Sequence, residues 1–377
     1  MSLLPLPEDR QVSPPLRSLV SLAPTDRSLV VTGGPGTGKT LFALSHCLKS
    51  AQEYSESQFL LIVSSELLAN SLEAAVRPTG VDNLQVFTWR GWLTYEYGHR
   101  GQGRVPRKRG ERIFDWSAMN LDWGGWFSAP ASRYRMIAID EAQDVPLKVL
   151  KQARDASLAL KLFCDPYQRF ELNGSELEQM VEILGVSNPW PVYVLEEDFR
   201  TTKEIQAFAH AVFAPDRSIP IHRPAARSGA LPRVLLTSDE EALKSIVTEV
   251  NRLGAQPGIE SLAVLTTHAN RGRIQGELAR AGLDTGVGFS PSDDAASIRV
   301  LPVEAVRGLE FDAVLLAIIS TAAEEAAALG TWLDMYVGAT RAREMLSIVI
   351  DRNAVTAEIH EALEESADLW TPSNGKA

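Results

Sequence analysis

Gly33-Gly34-Pro35-Gly36-Thr37-Gly38-Lys39-Thr40 reads G-x-x-x-x-G-K-T, the pattern of a phosphate-cradling loop. The apolar run Leu29-Val30-Val31 leads into it, and the helix-prone run Leu41-Phe42-Ala43-Leu44 leads out. Strand, glycine loop and helix in that order separate a phosphate site from a chance glycine turn. Glycines allow backbone angles that other residues resist, so successive N–H groups can converge on one phosphate. The helix that follows presents its positive N-terminal end to the same anion. Gly33, Gly34, Pro35, Gly36, Thr37 and Gly38 are therefore the expected cradle. Lys39 is placed to reach the β- and γ-phosphates, and the Thr40 hydroxyl to hold Mg²⁺. The loop implies a nucleoside triphosphate, with ATP and Mg²⁺ as the expected cofactors; it does not say to what use they are put.

On either side of this loop, short apolar runs alternate with helix-like segments. Candidate strands are 29–32, 59–63, 84–87, 136–139, 160–164 and 192–195, followed by a second series at 234–236, 262–265, 298–301, 314–318 and 346–350. Such alternation predicts an α/β fold with parallel sheets flanked by helices, and two series predict two domains. The expected boundary puts the first domain at 1–197 and the second at 198–377. Near it, Thr201 and Glu204 have capping-box spacing, and Ile205, Phe208, Ala209 and Val212 follow at helical spacing. Residues 1–27 read as a proline-broken lead-in, and 357–369 as an amphipathic helix whose Glu358, Glu361, Glu364 and Glu365 face solvent.

The 377 residues are 45% hydrophobic and 23% charged, an ordinary globular composition with room for two domains. No apolar run approaches the roughly 18 residues of a membrane span. The N-terminal stretch lacks the basic start and apolar core of a signal peptide. Cys47 and Cys164 lie far apart in apolar runs, the setting of small buried residues and not of a disulfide or zinc site. A cytoplasmic location is expected. The net charge of −11 counts against a simple basic nucleic-acid binder. That charge is uneven: residues 1–197 hold 20 basic and 23 acidic side chains, and 198–377 hold 17 and 25. Between Arg90 and Arg112 seven Arg or Lys stand against two Glu, and a local patch of that kind can bind phosphates in an acidic protein.

A second anchor is Met136-Ile137-Ala138-Ile139-Asp140-Glu141-Ala142-Gln143-Asp144. An apolar strand ends in two carboxylates, which puts both at the carboxyl edge of the sheet, where open α/β folds bind ligands. Asp140 suits Mg²⁺, and Glu141 suits orienting or deprotonating the attacking water.

With these residues in hand the chain resembles the UvrD/Rep-like family of superfamily 1 helicases. Phe163-Cys164-Asp165-Pro166-Tyr167-Gln168 resembles its G-D-x-x-Q motif, with Cys164 in the place of glycine. Leu195-Glu196-Glu197-Asp198-Phe199-Arg200-Thr201-Thr202 resembles L-x-x-N-Y-R-S-T. The stretch from Val303 through Arg307, Gly308, Glu310 and Asp312 resembles T-x-H-x-x-K-G-L-E-F-D, and Tyr336-Val337-Gly338-Ala339-Thr340-Arg341-Ala342 is close to Y-V-A-x-T-R-A. The resemblance runs from about residue 29 to 350. It implies two RecA-like P-loop NTPase domains around ATP, with Lys39, Thr40, Asp140, Glu141 and Gln168 from the first. Arg200 and Arg341 would reach the γ-phosphate from the second, with Phe199 on the adenine and Gly308 and Glu310 also at the nucleotide. Glu141, Gln168, Arg200 and Arg341 are thus the implied catalytic set. Only about 45 residues separate Trp89 from Ile137, and about 100 separate Arg200 from Val303, so the large accessory insertions of full family members have no room. No glutamine stands at the family's adenine-reading position ahead of the loop.

The resemblance also implies contact with single-stranded DNA near Thr88 and Trp89. Five of the eight tryptophans lie between Trp89 and Trp126, around the basic run that includes Arg104, Arg107, Lys108 and Arg109. Bases stack on aromatic faces while arginines hold phosphates; the same tryptophans could equally pack a small insertion spanning about residues 90–133. The basic run is expected to touch nucleic acid. Two functions follow: an ATP-dependent DNA translocase or helicase, by resemblance 3′ to 5′, or a nucleic-acid-responsive ATPase switch that works with partner proteins and does not unwind. A small-molecule P-loop kinase leaves Glu310 and Arg341 in their motif contexts unexplained.

Overall fold

Two six-stranded sheets, both wholly parallel, carry the chain. The computed structural model describes residues 18, 20–99, 104–108, 114–119, 133–165, 174–185, 192–195, 201–213, 225, 227–286, 298–306, 309–319 and 332–370. The first sheet holds β1 (Leu29–Gly33), β2 (Phe59–Val63), β3 (Leu84–Thr88), β4 (Tyr134–Ile139), β5 (Ser157–Cys164) and β6 (Tyr193–Leu195), in the order β3-β2-β4-β5-β1-β6. Its helices are α1 (Lys39–Glu53), α2 (Glu66–Val76), α3 (Trp89–His99), α4 (Leu147–Ala156) and α5 (Leu177–Ile183). Every residue of β1 and β2 is buried, the pattern of strands covered on both faces.

The second sheet holds β7 (Arg233–Thr237), β8 (Leu262–Thr266), β9 (Arg299–Pro302), β10 (Phe311–Ile318), β11 (Ala342–Asp351) and β12 (Asp368–Trp370), in the order β12-β7-β11-β10-β8-β9. Its helices are α6 (Lys203–Phe213), α7 (Asp239–Gly254), α8 (His268–Arg280), α9 (Trp332–Ala339) and α10 (Ala357–Ser366). Two compact units form, one around each sheet, and the main division between them falls between Leu195 and Glu196. The α/β class with parallel sheets is as the sequence predicts.

Two local readings change. The hydroxyl that accepts from Ile205 N is that of Thr202 (3.3 Å), so α6 starts one residue later than the expected Thr201 cap. Glu204 accepts from Gly229 N (2.7 Å) and also hydrogen-bonds Thr202 at the helix start. The expected terminal helix ends at Ser366, and Asp368–Trp370 forms β12 beside β7. The Arg233 guanidinium lies 3.8 Å from the Trp370 ring centroid and helps hold this short edge strand.

Beneath α1 the first unit buries ionisable groups. Lys161, fully buried in β5, donates its ammonium to the carbonyls of Pro24 and Arg27 and so ties the lead-in to the sheet. Burial brings its pKa down to about 7. His46, on the buried face of α1 and edge-on to Phe42, is brought down to about 3 by burial and then by Lys161 and Lys49. It is neutral in the folded protein, whereas its unfolded form takes a proton near 6.5. Stability from this group is therefore full above pH 6.5 and falls as the pH drops toward 3, by up to about 1.4 kcal/mol per unit. His46→Met, which keeps much of the volume, should flatten that part of the acid dependence; urea unfolding of both proteins between pH 7 and about pH 4 measures the difference, and parallel curves would contradict it.

Candidate functional site

The phosphate loop is shaped by two left-handed glycines, Gly36 (φ 76°) and Gly38 (φ 89°), at angles an L side chain resists. Thr37 folds the turn onto itself by donating Oγ1 to Gly34 O (2.9 Å). Gly38 is the N-cap of α1 and no side chain caps that end, which leaves its first N–H groups to an anion. Lys39 is buried beneath the loop with Nζ donating to Gly33 O (2.9 Å).

Parallel pairing brings the second anchor to the same edge. β5 lies between β1 and β4, with Thr32 opposite Cys164 and Ile139 opposite Leu162, so Gly33, Asp140 and Asp165 leave the sheet together. Asp140 continues the ladder by donating its N–H to Ile62 O (2.8 Å). Its Oδ2 accepts from Thr40 Oγ1 at 2.6 Å, joining the two anchors across a separation of 100 residues. Its Oδ1 is buried and takes no hydrogen bond from a described residue. Burial, and after it the neighbouring Glu141, pushes the Asp140 carboxyl up to about 7. A divalent cation would reverse that shift. A hydroxyl beside a carboxylate with an unsatisfied buried oxygen fits Mg²⁺, which takes one or two carboxylates and completes its shell with phosphate and water.

Glu141 is the only described non-glycine residue with positive φ (51°). Such backbone costs on the order of 1–3 kcal/mol and persists where the surroundings over-determine it. Here they do: Gln143 Nε2 donates to Glu141 Oε2 (2.7 Å), and Gln143 Oε1 accepts from Asp165 N (3.0 Å). The Asp165 N–H thereby sets which end of the amide faces Glu141. Gln143 O also accepts from Ser175 N (3.0 Å). The role of Gln143 is not readable from the sequence, because its second partner lies 22 residues on, just past the end of β5.

In the second unit, Arg341 follows α9 and immediately precedes β11. It is buried, donates Nε to Val337 O (3.0 Å), and accepts from Phe311 N (3.0 Å) at its carbonyl. That bond places Arg341 beside Glu310, the residue ahead of β10. Gln168, Phe199, Arg200, Gly308 and Arg109 lie outside the described residues.

Thr88 ends β3 and serves α3: its hydroxyl donates to Glu66 Oε1 (2.7 Å) and accepts from Gly91 N (3.0 Å). Trp89 is 7% exposed, stacked on Trp116 (centroids 6.0 Å, planes 19° apart) and edge-on to Phe114. Val105, Phe114 and Met119 pack into the same cluster as Trp89, Trp92 and Tyr97, so the described part of the insertion is seated on α3 by its apolar side chains. Arg104, Arg107 and Lys108 are exposed.

No family model matches the sequence, and the search of curated proteins found no match. Among solved structures, the C-terminal domain of a possible DNA helicase from Lactobacillus plantarum WCFS1 is 18% identical over 45% of this chain and 98% of that one, at a TM-score of 0.35. The PRRSV helicase is 12% identical over 89% of this chain and 55% of that one (TM-score 0.44). Arterivirus nonstructural protein 10, a helicase in complex with DNA, is 13% identical over 88% and 62% (TM-score 0.42). The chain thus spans little more than half the length of the two viral helicases. Those identities and TM-scores carry no function across to this chain. Among the described residues no helix is long and apolar enough to cross a membrane.

The geometry predicts separable effects on nucleotide binding. Lys39→Ala removes a buried cation and should weaken binding of a Mg²⁺–nucleoside triphosphate by about tenfold or more. Thr40→Val should lower affinity when Mg²⁺ is present and leave it unchanged in chelator. Isothermal titration under both conditions checks this; equal affinities for all three proteins would contradict the assignment.

Proposed function

We propose that the chain is an ATP-dependent DNA translocase or helicase of the UvrD/Rep-like type, acting on single-stranded DNA with 3′-to-5′ polarity. The observation that carries the hydrolytic part is the Thr40–Asp140 contact with Glu141 held beside it by Gln143. Thr40 and Asp140 would hold Mg²⁺, which supplies charge neutralisation on the phosphates. Lys39 and the loop N–H groups bind the triphosphate. Glu141 orients the attacking water and takes its proton. Arg200 and Arg341 are assigned, through their motifs, to the charge that gathers on the γ-phosphoryl oxygens, and Gln168 to sensing it. Phe199, Gly308 and Glu310 are assigned to the nucleoside. ATP and Mg²⁺ are the proposed cofactors.

The DNA part is supported by the exposed Arg104, Arg107 and Lys108 on an insertion whose Val105, Phe114 and Met119 are turned inward. The short spacing between motifs also favours a second reading, an ATPase switch that responds to nucleic acid within a larger assembly of partner proteins. Unwinding of a tailed duplex belongs to the first reading alone.

Glu141→Gln should abolish hydrolysis while nucleotide binding persists, because the phosphate cradle is untouched. Arg341→Ala and Arg200→Ala should cut turnover far more than affinity, by up to about 10³-fold or beyond. Single-turnover hydrolysis beside nucleotide titration decides, and normal turnover in Glu141→Gln would remove the motor reading. Replacing Arg107, Lys108 and Arg109 together with alanine should weaken DNA binding and flatten the slope of log affinity against log salt by up to roughly two units, since each single-strand phosphate contact contributes about 0.7. An unchanged slope would return the run to an ordinary exposed loop.

A further inference from the structure

Trp116 stands at the second position of a turn that is built rigidly. Asp115 Oδ1 accepts from Ser117 N (3.2 Å), Ser117 Oγ (2.6 Å) and Ala118 N (3.3 Å), and Asp115 N donates to Pro106 O (3.0 Å). The Asp115 carboxylate is engaged in this turn, and the Ser117 hydroxyl holds its pKa below the usual value. Arg107 pairs with Phe114 in an isolated antiparallel bridge just before the turn.

The turn presents one ring. Trp116 touches Trp89 face to face and Phe114 edge to face (5.8 Å, 83°), yet it stays partly exposed while those two are buried. A guanidinium stands over each ring that Trp116 touches: Arg90 is 4.2 Å from the Trp89 centroid and Arg107 is 5.2 Å from that of Phe114. Both arginines are exposed, as are Arg104 and Lys108. A partly open indole, backed by a second indole and bordered by cations, matches a ligand that alternates flat aromatic faces with negative charge. Single-stranded nucleic acid has that alternation. An acidic peptide or a sulfated polymer offers the charge without the regular aromatic faces.

We propose that Trp116 is the base-stacking platform of a single-stranded nucleic-acid site on this insertion, with Arg90, Arg104, Arg107 and Lys108 neutralising the flanking phosphates. The proposal rests on the nucleic-acid reading above and moves its aromatic contact from Trp89 to Trp116. Its signature is a division of labour. Stacking releases no counterions, so it contributes affinity at every salt concentration, whereas the cations contribute the slope.

The test is fluorescence anisotropy of the full chain with labelled oligothymidine at several salt concentrations, and with labelled heparin as an anion without bases. Trp116→Ala should lose about 5- to 150-fold in affinity for the oligonucleotide with its salt slope unchanged. Heparin binding should be unaffected, and Trp116→Phe should recover most of the loss. Because alanine could disturb the Trp89 stack, photocrosslinking of the unmodified protein to iodouridine-substituted DNA gives a second readout, with Trp116 as the expected adduct. Wild-type binding with equal affinity in Trp116→Ala, or adducts that omit Trp116, would overturn the platform and leave the DNA reading standing. Equal losses for DNA and heparin would also overturn it, in favour of a general anion patch. No binding of single strands by the wild type at low salt would overturn both.

Discussion

The 2.6 Å hydrogen bond from Thr40 to Asp140 is the contact on which the proposed chemistry of the first unit turns. It joins the first turn of α1 to the end of β4, two elements with β5 interposed between β4 and β1. For the bond to form, three strands must run parallel in one register, the loop must turn through left-handed glycines, and Asp140 must be buried. That burial is unfavourable for a carboxylate, as its raised pKa records. An acid held under such pressure, with one oxygen given to a hydroxyl and the other without a donor among the described residues, fits a cation. Glu141 shows a related cost next door, a left-handed backbone stabilised by the Gln143 amide.

Much of this edge was legible in the sequence because the chemistry restricts the residues. Only glycine suits φ near +76° and +89°, and an apolar strand that ends in Asp-Glu can deliver both carboxylates to one sheet edge. Gln143 was not legible: its role depends on the β4–β5 register, which brings Asp165 N within 3.0 Å of its amide. The aromatic insertion was half legible. Composition marked a tryptophan-rich basic segment without saying which ring faces outward. Thr88 caps α3 and so turns Trp89 inward, and the turn at Asp115 holds Trp116 outward; the Asp-x-Ser spacing was the available signal for that turn. β12 escaped notice because three residues carry no period to read, and their pairing with β7 is decided by distant partners.

The insertion also explains how an acidic chain could meet a polyanion. A net charge of −11 opposes approach at long range, so any attraction must be local. Packing Val105, Phe114 and Met119 against α3 gathers the cations on the outer side of a small, fixed element. The second unit contributes no comparable described patch; its Arg341 is buried and its α10 face is acidic. On the proposed function, the cations offered to nucleic acid and the Thr40–Asp140–Glu141 group offered to the nucleotide are different side chains of the first unit.

The most direct measurement is the rate of Mg²⁺-dependent ATP hydrolysis by the unmodified protein as single-stranded DNA is titrated in. The account predicts a measurable basal rate that rises severalfold and saturates with DNA. A rate that is absent, or that stays the same at every DNA concentration, would contradict it.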